Sequence, residues 1–82
     1  MTKKSTGYNA PILYRAFAIL EEIARVPSDL GVSNLSRRLS IPKSTVYGIV
    51  QALLEIGALR QIETNKLVLG PTLARLGNQA LA

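Results

Sequence analysis

The chain has 82 residues, which is enough for one small domain but not for a second hydrophobic core. Hydrophobic residues make up 48% of it, so we expect a folded chain, and the lack of cysteine and histidine excludes disulfides, zinc ligation by these residues and histidine acid–base catalysis. The net charge of +5 favours a polyanionic partner, although a solvated, solubilising face would carry the same charge.

Residues 1–9 are polar and lack periodicity, which predicts a mobile N-terminal arm. Apolar residues then recur at helical spacing from about Ala10 to Val26, and Pro27 follows as a stop, so we predict a first helix here. Glu21 and Arg25 are four residues apart, so we expect them to pair on its outer side.

A short second helix is predicted next, with either Ser33 or Gly31 as its N-cap. Leu35 and Leu39 have the spacing of two residues on one helix face, so they should point inward and leave the neighbouring arginines outward. Ser40 is expected to end this helix.

A third helix is predicted over residues 42–56, with Pro42 pre-setting the backbone at its start and Gly57 ending it. Its apolar stripe is Val46, Ile49, Val50 and Leu53. Its polar side is Ser44, Tyr47, Gly48, Gln51 and Glu55. A short helix, a tight turn and a second helix with a hydrogen-bonding outer side is the arrangement that brings side chains to base edges in a DNA groove.

Two short strands, 58–62 and 66–69, read as a hairpin with Thr64 and Asn65 at its tip. A further helix should begin at Pro71. The expected fold is therefore mainly α with a small β-hairpin: a winged helix-turn-helix of three helices and a wing over residues 10–70.

The third helix supplies the candidate base-reading residues, because the major groove admits an α-helix and its donor and acceptor pattern distinguishes all four base pairs. They are Ser44, Thr45, Tyr47, Gly48 and Gln51. Glutamine can pair with adenine through two hydrogen bonds, and glycine allows a close backbone approach. An ordinary amphipathic helix with a polar outside is the simpler reading of the same pattern.

The candidate phosphate contacts are Arg37, Arg38, Lys43, Arg60 and Lys66. No acid lies between Gly31 and Leu54, which concentrates positive charge around the two central helices. Either arginine of the second helix could instead be merely solvated, and the hairpin could merely cover the core. Lys3 and Lys4 could enter a minor groove or belong to a disordered arm.

Four segments together carry a family resemblance: Arg15–Ala24, Leu35–Val50, Leu54–Gln61 and Leu69–Gly77. They resemble, without gaps, the N-terminal winged helix of IclR-type bacterial transcriptional regulators. The resemblance implies a homodimer, or dimer of dimers, that binds operator DNA as a repressor or activator. It also implies a metabolite-sensing C-terminal domain beyond a linker helix at residues 71–82, so that this chain would be one part of a longer regulator. The family often has arginine where Gly48 stands and glycine where Ser40 stands.

Other classes of function are weaker. A winged helix could serve as a protein–protein or dimerisation module without touching DNA. The first helix and the N-terminal arm, on the side away from the recognition helix, are the candidate dimer surface, and the exposed leucines of the last helix could belong to an interface or to the C-terminal domain that the resemblance implies. Glu21 and Glu22 point to different sides of a helix and cannot flank a substrate, so we expect neither an enzyme nor a cofactor. No apolar run reaches the length of a membrane span, and we expect a cytoplasmic protein.

Overall fold

A computed structural model describes residues 10–25 and 30–82 of the chain. This part contains, in order, α1 (Pro11–Arg25), α2 (Val32–Leu39), α3 (Lys43–Ile56), β1 (Leu59–Glu63), β2 (Lys66–Leu69) and α4 (Pro71–Leu81). The order confirms the predicted winged helix-turn-helix, with β1 displaced by one residue from the predicted strand. The predicted arm and the stop at Pro27 lie outside the described residues.

The core is built where the three helices meet the hairpin. Each helix contributes one side chain that solvent does not reach: Ile19 from α1, Leu35 from α2 and Val46 from α3. Around them lie further buried apolar residues: Leu20, Ile23, Leu30, Ile41, Ile49, Val50, Leu53, Ala58, Leu59 and Leu67. Burying one such aliphatic side chain contributes about 1.5–3 kcal/mol, so this cluster holds α3 in place. The predicted apolar stripe of α3 is confirmed.

The turn between α2 and α3 is fixed by hydrogen bonds and a buried corner residue. Ser40 adopts a left-handed conformation with φ 56° and ψ 43°, and its N–H donates to the carbonyl of Ser36. The Ser36 hydroxyl donates to the Ile41 carbonyl at 2.6 Å, while the Ile41 side chain is buried. Pro42 then caps α3. These contacts set the angle between the two helices.

Gly31, and not Ser33, is the N-cap of α2. A Cβ atom at Gly31 would lie 3.1 Å from the carbonyl oxygen of Asn65 at the hairpin tip. The backbone N–H of Leu67 donates to the carbonyl of Leu30 at 3.2 Å. Both the tip of the hairpin and its second strand therefore pack against the residues at the start of α2.

The hairpin is a two-stranded antiparallel ribbon. Its pairs are Leu59 with Leu69, Arg60 with Val68, Gln61 with Leu67, and Glu63 with Lys66, with a bulge between Gln61 and Glu63. The Gln61 side-chain amide donates to the carbonyl of Thr64 at 2.7 Å and closes the tip. Since alternate strand residues face opposite sides, Gln61 shares a side with buried Leu67, and Arg60 lies on the other side.

The start of α4 is joined to the end of α3. Gly57, at φ 87°, ends α3 as predicted, and the Thr72 N–H donates to the Gly57 carbonyl at 3.1 Å. The Thr72 hydroxyl donates to the carbonyl of Ile56 at 2.9 Å, and the Gly70 N–H donates to that of Ala58 at 2.9 Å. A Cβ atom at Gly70 would lie 2.3 Å from the Gly57 oxygen, so the backbones can approach this closely only because residue 70 is glycine.

Candidate nucleic-acid interface

The outer side of α3 is exposed along its whole length. Ser44, Gly48 and Gln51 are all exposed, and 56% of Tyr47 is accessible to solvent. Thr45 is half-buried. The helical period that buries Val46 and its partners thus turns these polar groups outward, and the predicted ridge stands on the surface of the molecule.

One flank of this ridge borders a groove of about 700 Å³ between α3 and the hairpin, lined by both polar and apolar side chains, which we call the wing groove. The wall on α3 is formed by Lys43, Ser44, Tyr47 and Gln51. The opposite wall and the end of the groove are formed by Ser33, Gln61, Thr64 and Asn65. The wing groove brings the predicted residues Tyr47 and Gln51 together with the hairpin.

The other flank of the ridge borders an apolar surface, which we call the apolar face. Its large side chains are Ile12, Leu13, Phe17, Ile56, Leu73 and Leu76, contributed by α1, α3 and α4. Thr45 and Gly48 lie on this side, and Ser44 borders both flanks. The five candidate base-reading residues therefore do not form one set: Tyr47 and Gln51 adjoin the wing groove, and Thr45 and Gly48 adjoin the apolar face.

Gly48 occupies an open position on α3. A Cβ atom added there would meet no neighbouring atom within 4 Å. Packing within this chain therefore gives no reason for glycine in the middle of the helix, where it costs about 1 kcal/mol relative to alanine.

The candidate phosphate contacts occupy different surroundings. Lys43 is exposed at the start of α3, and exposed Arg37 donates a hydrogen bond to the side chain of Asn34. Lys66 is half-buried at the hairpin tip, with its Nζ 3.9 Å from a carboxylate oxygen of Glu63. Arg60 lies on the side of the hairpin away from the wing groove. Of these cations, Lys43 is the one that adjoins the groove.

Arg38 is held by an acidic side chain that the sequence reasoning did not single out. Its Nε lies 2.6 Å from one carboxylate oxygen of Glu22, whose other oxygen lies 2.6 Å from Arg25. Only 7% of Glu22 is exposed. Arg25 therefore pairs with Glu22 and not with the predicted partner Glu21. Arg38 ties α2 to α1, and it shares the single negative charge of Glu22 with Arg25.

The two arginines lower the pKa of Glu22, and the Arg38 hydrogen bond is the largest cause. Burial opposes them by favouring the neutral acid, but the hydrogen bonds to the charged form outweigh it. Glu22 thus remains ionised at neutral pH and keeps Arg38 in place. The sequence did carry a signal for the burial of Glu22, because Glu22 is three residues after Ile19 and therefore lies at the edge of the buried stripe of α1.

Gln61 and Ser33 are also groove residues that the sequence reasoning missed. For Gln61 the signal was strand alternation, since it is two residues after buried Leu59 and so on the same side of the hairpin. For Ser33 no local signal exists, because its place beside the groove depends on how α2 packs against the hairpin.

The sequence matches the model of the IclR helix-turn-helix domain over residues 13–63. No curated protein sequence matches the chain. Among solved structures, the repressor BlcR of Agobacterium tumefaciens is similar at 34% identity and a TM-score of 0.77, over 87% of this chain and 29% of that one.

Two further solved structures share the fold at 23% identity. An IclR transcriptional regulator from Alicyclobacillus acidocaldarius has a TM-score of 0.81, over 89% of this chain and 30% of its own. An IclR family transcriptional regulator from Brucella abortus has a TM-score of 0.76, over 96% of this chain and 32% of its own. The chain thus spans about three tenths of the length of the structures it matches. None of the described helices has the length and apolarity needed to cross a bilayer.

Proposed function

This chain belongs to the IclR helix-turn-helix family, whose domain is the DNA-binding part of transcription regulators, and we propose that it binds double-stranded DNA sequence-specifically with α3 in the major groove. The observation that carries the proposal is the exposed polar ridge of α3, which starts beside Lys43 and lies in a stretch without acids from Gly31 to Leu54. A helix with its side chains is 10–12 Å wide, roughly the width of the major groove.

Base reading falls mainly to the residues of the ridge nearest the wing groove. Gln51 can hydrogen-bond an adenine through both ends of its amide. Tyr47 can donate its hydroxyl to a base edge or a phosphate, and Ser44 and Thr45 add hydroxyls in the first turn of α3. Gly48 allows the backbone of α3 to approach the bases closely.

Phosphate binding is proposed mainly for three of the candidate cations. Exposed Arg37 and Lys43 are the principal contacts, and half-buried Lys66 adds a contact from the hairpin tip. Arg38 has a smaller share because its guanidinium is already paired with Glu22. Arg60 would reach only a strand that passes on the outer side of the hairpin.

Two copies are needed for useful specificity, because one small module buries a limited interface on DNA. We propose that the apolar face forms the contact between copies, since Phe17, Ile56 and Leu76 are each more than half exposed. If the two recognition helices face the same side of the duplex, their half-sites would be about 34 Å apart. In the whole regulator, α4 would lead to the domain that senses a small metabolite, and operator binding places the protein in the bacterial cytoplasm.

The apolar face also supports a second candidate, a dimerisation module that does not contact DNA. The two candidates differ on the other flank of α3. A protein contact there would favour large exposed aromatic and apolar anchors. The wing groove instead has the hydroxyls of Ser33, Ser44, Tyr47 and Thr64, three amides and Lys43 beside its aliphatic side chains.

Selection of bound duplexes from a randomised pool, followed by affinity measurements on the selected and a random duplex, tests the proposal. Gln51→Ala should cost about 1–3 kcal/mol on the selected duplex and little on the random one, because it removes a base contact. Gln79→Ala, the same change at an exposed position of α4, is the matched control and should affect neither. Equal losses on both duplexes would show that Gln51 reads no base, and failure to select any duplex would favour the dimerisation module.

A further inference from the structure

We propose that the wing groove holds one sugar-phosphate strand of the bound duplex, and that Gln61 is a DNA contact acting through an uncharged donor. The inference rests on the proposed function and extends it, because it assigns a role to a side chain outside α3 and to the space between α3 and the hairpin.

The position of the sugar-phosphate strand follows from the widths of the helix and of the major groove. A helix 10–12 Å wide fills a major groove about 12 Å wide, so the two phosphate strands that border the groove run along the flanks of the helix. On one flank of α3 stands the hairpin, and a strand there must pass between the two, through the wing groove. On the other flank the apolar face offers a phosphate little beyond the hydroxyls of Ser44, Thr45 and Thr72.

The lining of the wing groove suits a sugar-phosphate strand. Among the described residues that line it there is no carboxylate, and Lys43 is the one cation. The other polar groups are the hydroxyls of Ser33, Ser44, Tyr47 and Thr64 and the amides of Gln51, Gln61 and Asn65. Side chains of these kinds are common phosphate contacts in protein–DNA complexes. The groove also contains the half-buried apolar side chains of Val32 and Leu54, against which a deoxyribose can pack, with buried Val50 and Leu67 at its base.

Gln61 is held in position before any ligand binds. Its amide donates to the carbonyl of Thr64 at 2.7 Å, and its strand partner is buried Leu67. The same amide carries a second N–H for a phosphate oxygen. The hairpin itself rests on α2 through Asn65 and Gly31, so its wall of the groove is preformed. Contact with DNA then costs little ordering of this side chain.

An uncharged contact has a measurable signature. Each cation that neutralises a phosphate releases counterions and steepens the fall of affinity with salt, whereas a neutral amide releases none. A phosphate contact also carries no base information. Loss of Gln61 should therefore lower affinity for every duplex by the same factor and leave the salt dependence unchanged, which distinguishes it from both Gln51 and Arg37.

The first experiment compares Gln61→Ala with Gln79→Ala on a duplex selected by the protein and on a random duplex, across a salt series. We expect Gln61→Ala to weaken binding to both duplexes by roughly three- to tenfold, with the slope of log affinity against log salt unchanged. Gln79→Ala should bind like the wild type. Unchanged affinity for Gln61→Ala, or a loss confined to the selected duplex, would overturn the inference.

A second pair of variants places a negative charge at the same two positions. Gln61→Glu and Gln79→Glu change the net charge equally, but only the first would face a phosphate, so its affinity should fall by more than about tenfold relative to the second. Equal losses would contradict a strand in the groove.

A third measurement alters the DNA one phosphate at a time and compares the wild type with Gln61→Ala. Methylphosphonate replaces one phosphate oxygen with a methyl group, and scanning it along the selected duplex should identify a phosphate where it weakens the wild type but not Gln61→Ala. Absence of such a phosphate would refute the assignment. If the wild type binds no duplex at low salt, both this inference and the proposed function are wrong. If the wild type binds and the Gln61 variants bind like their Gln79 controls, only this inference is wrong.

Discussion

The two flanks of α3 have opposite chemistry although they belong to one helix. The flank towards the hairpin presents hydroxyls, amides and Lys43, and the flank towards α1 and α4 presents Ile56 beside Phe17 and Leu76. Between them runs the exposed ridge that begins at Ser44. The 14 residues of α3 thus contact the hydrophobic core, the wing groove and the apolar face. We infer that α3 and the wing groove serve recognition, and that the part of the apolar face contributed by α1 and α4 serves assembly.

Phe17→Asp offers the largest expected effect and tests the apolar flank. Phe17 is 60% exposed, so the change should leave the fold intact, while a charge at the centre of a contact between copies should cost about 2–4 kcal/mol of association. Sedimentation of the wild type and the variant measures this directly. Tyr14→Asp is the matched control, because Tyr14 is 61% exposed on α1 but does not line the apolar face. A wild type that is monomeric at high concentration would rule out this contact.

Arg37→Ala and Arg38→Ala sharpen the comparison on the polar side. Arg37→Ala should weaken binding to selected and random duplexes alike and reduce the salt slope by about one unit, because one phosphate contact is lost. Arg38→Ala should change the slope less, since the Arg38 guanidinium is already engaged by Glu22, but should lower the thermal midpoint by leaving a buried carboxylate with one partner fewer. Equal slope changes for the two variants would show that Arg38 turns to the DNA.

Gly48→Ala tests why a glycine stands on the exposed ridge between the two flanks of α3. With no atom within 4 Å of the added Cβ, the variant should be more stable by about 1 kcal/mol, from the helix propensity alone. Chemical unfolding measures this, and Gly70→Ala is the contrasting control, which should destabilise the chain because its Cβ would meet the Gly57 oxygen. A stabilised Gly48→Ala with lower DNA affinity would show that the backbone of α3 approaches the bases at this point.

The smallest effect concerns acid stability, since it depends on one carboxylate. The pKa of Glu22 lies below its ordinary value of 4.5 in the folded chain, so its stabilising contribution is complete above that value and is lost as the pH falls through the lowered pKa. Urea midpoints measured from neutral pH into the acid range should therefore fall more steeply for the wild type than for Glu22→Gln. Glu21→Gln, at the exposed neighbouring position, should behave like the wild type. Parallel curves for all three would contradict the buried pairing.

Much of the fold could be predicted because the apolar periodicity of the sequence and the residues that begin and end its helices indicate the same elements. The apolar period of α3 identified Val46 and its buried partners, and Gly57 marked the end of the helix. The hairpin strands were predicted to within one residue. The N-cap of α2 was left open between Ser33 and Gly31, because the choice depends on the approach of Asn65 from the hairpin, which is not visible in the local sequence.

The candidate site was less predictable than the fold. Periodicity places Tyr47, Gly48 and Gln51 on the outer side of α3, but it cannot say that Gly48 adjoins the apolar face while Gln51 adjoins the wing groove. Charge counting treated Arg37 and Arg38 alike, whereas Glu22, 16 residues before Arg38, holds only the latter. Both distinctions depend on residues distant in the sequence.

The sequence by itself determined the order of the elements, the buried stripe of α3 and the side of α3 that meets solvent, because these follow from the period of that helix about its own axis and from the signals that begin and end each element. The apolar period of α1 was less informative, since Leu13 and Phe17 are exposed although they share that period. The tertiary structure decided what stands beside each flank, which arginine of α2 is paired with a carboxylate and how Gln61 and Tyr47 come to line one groove. Those relations arise from long-range packing among α1, the hairpin and α4, and local periodicity carries no information about them.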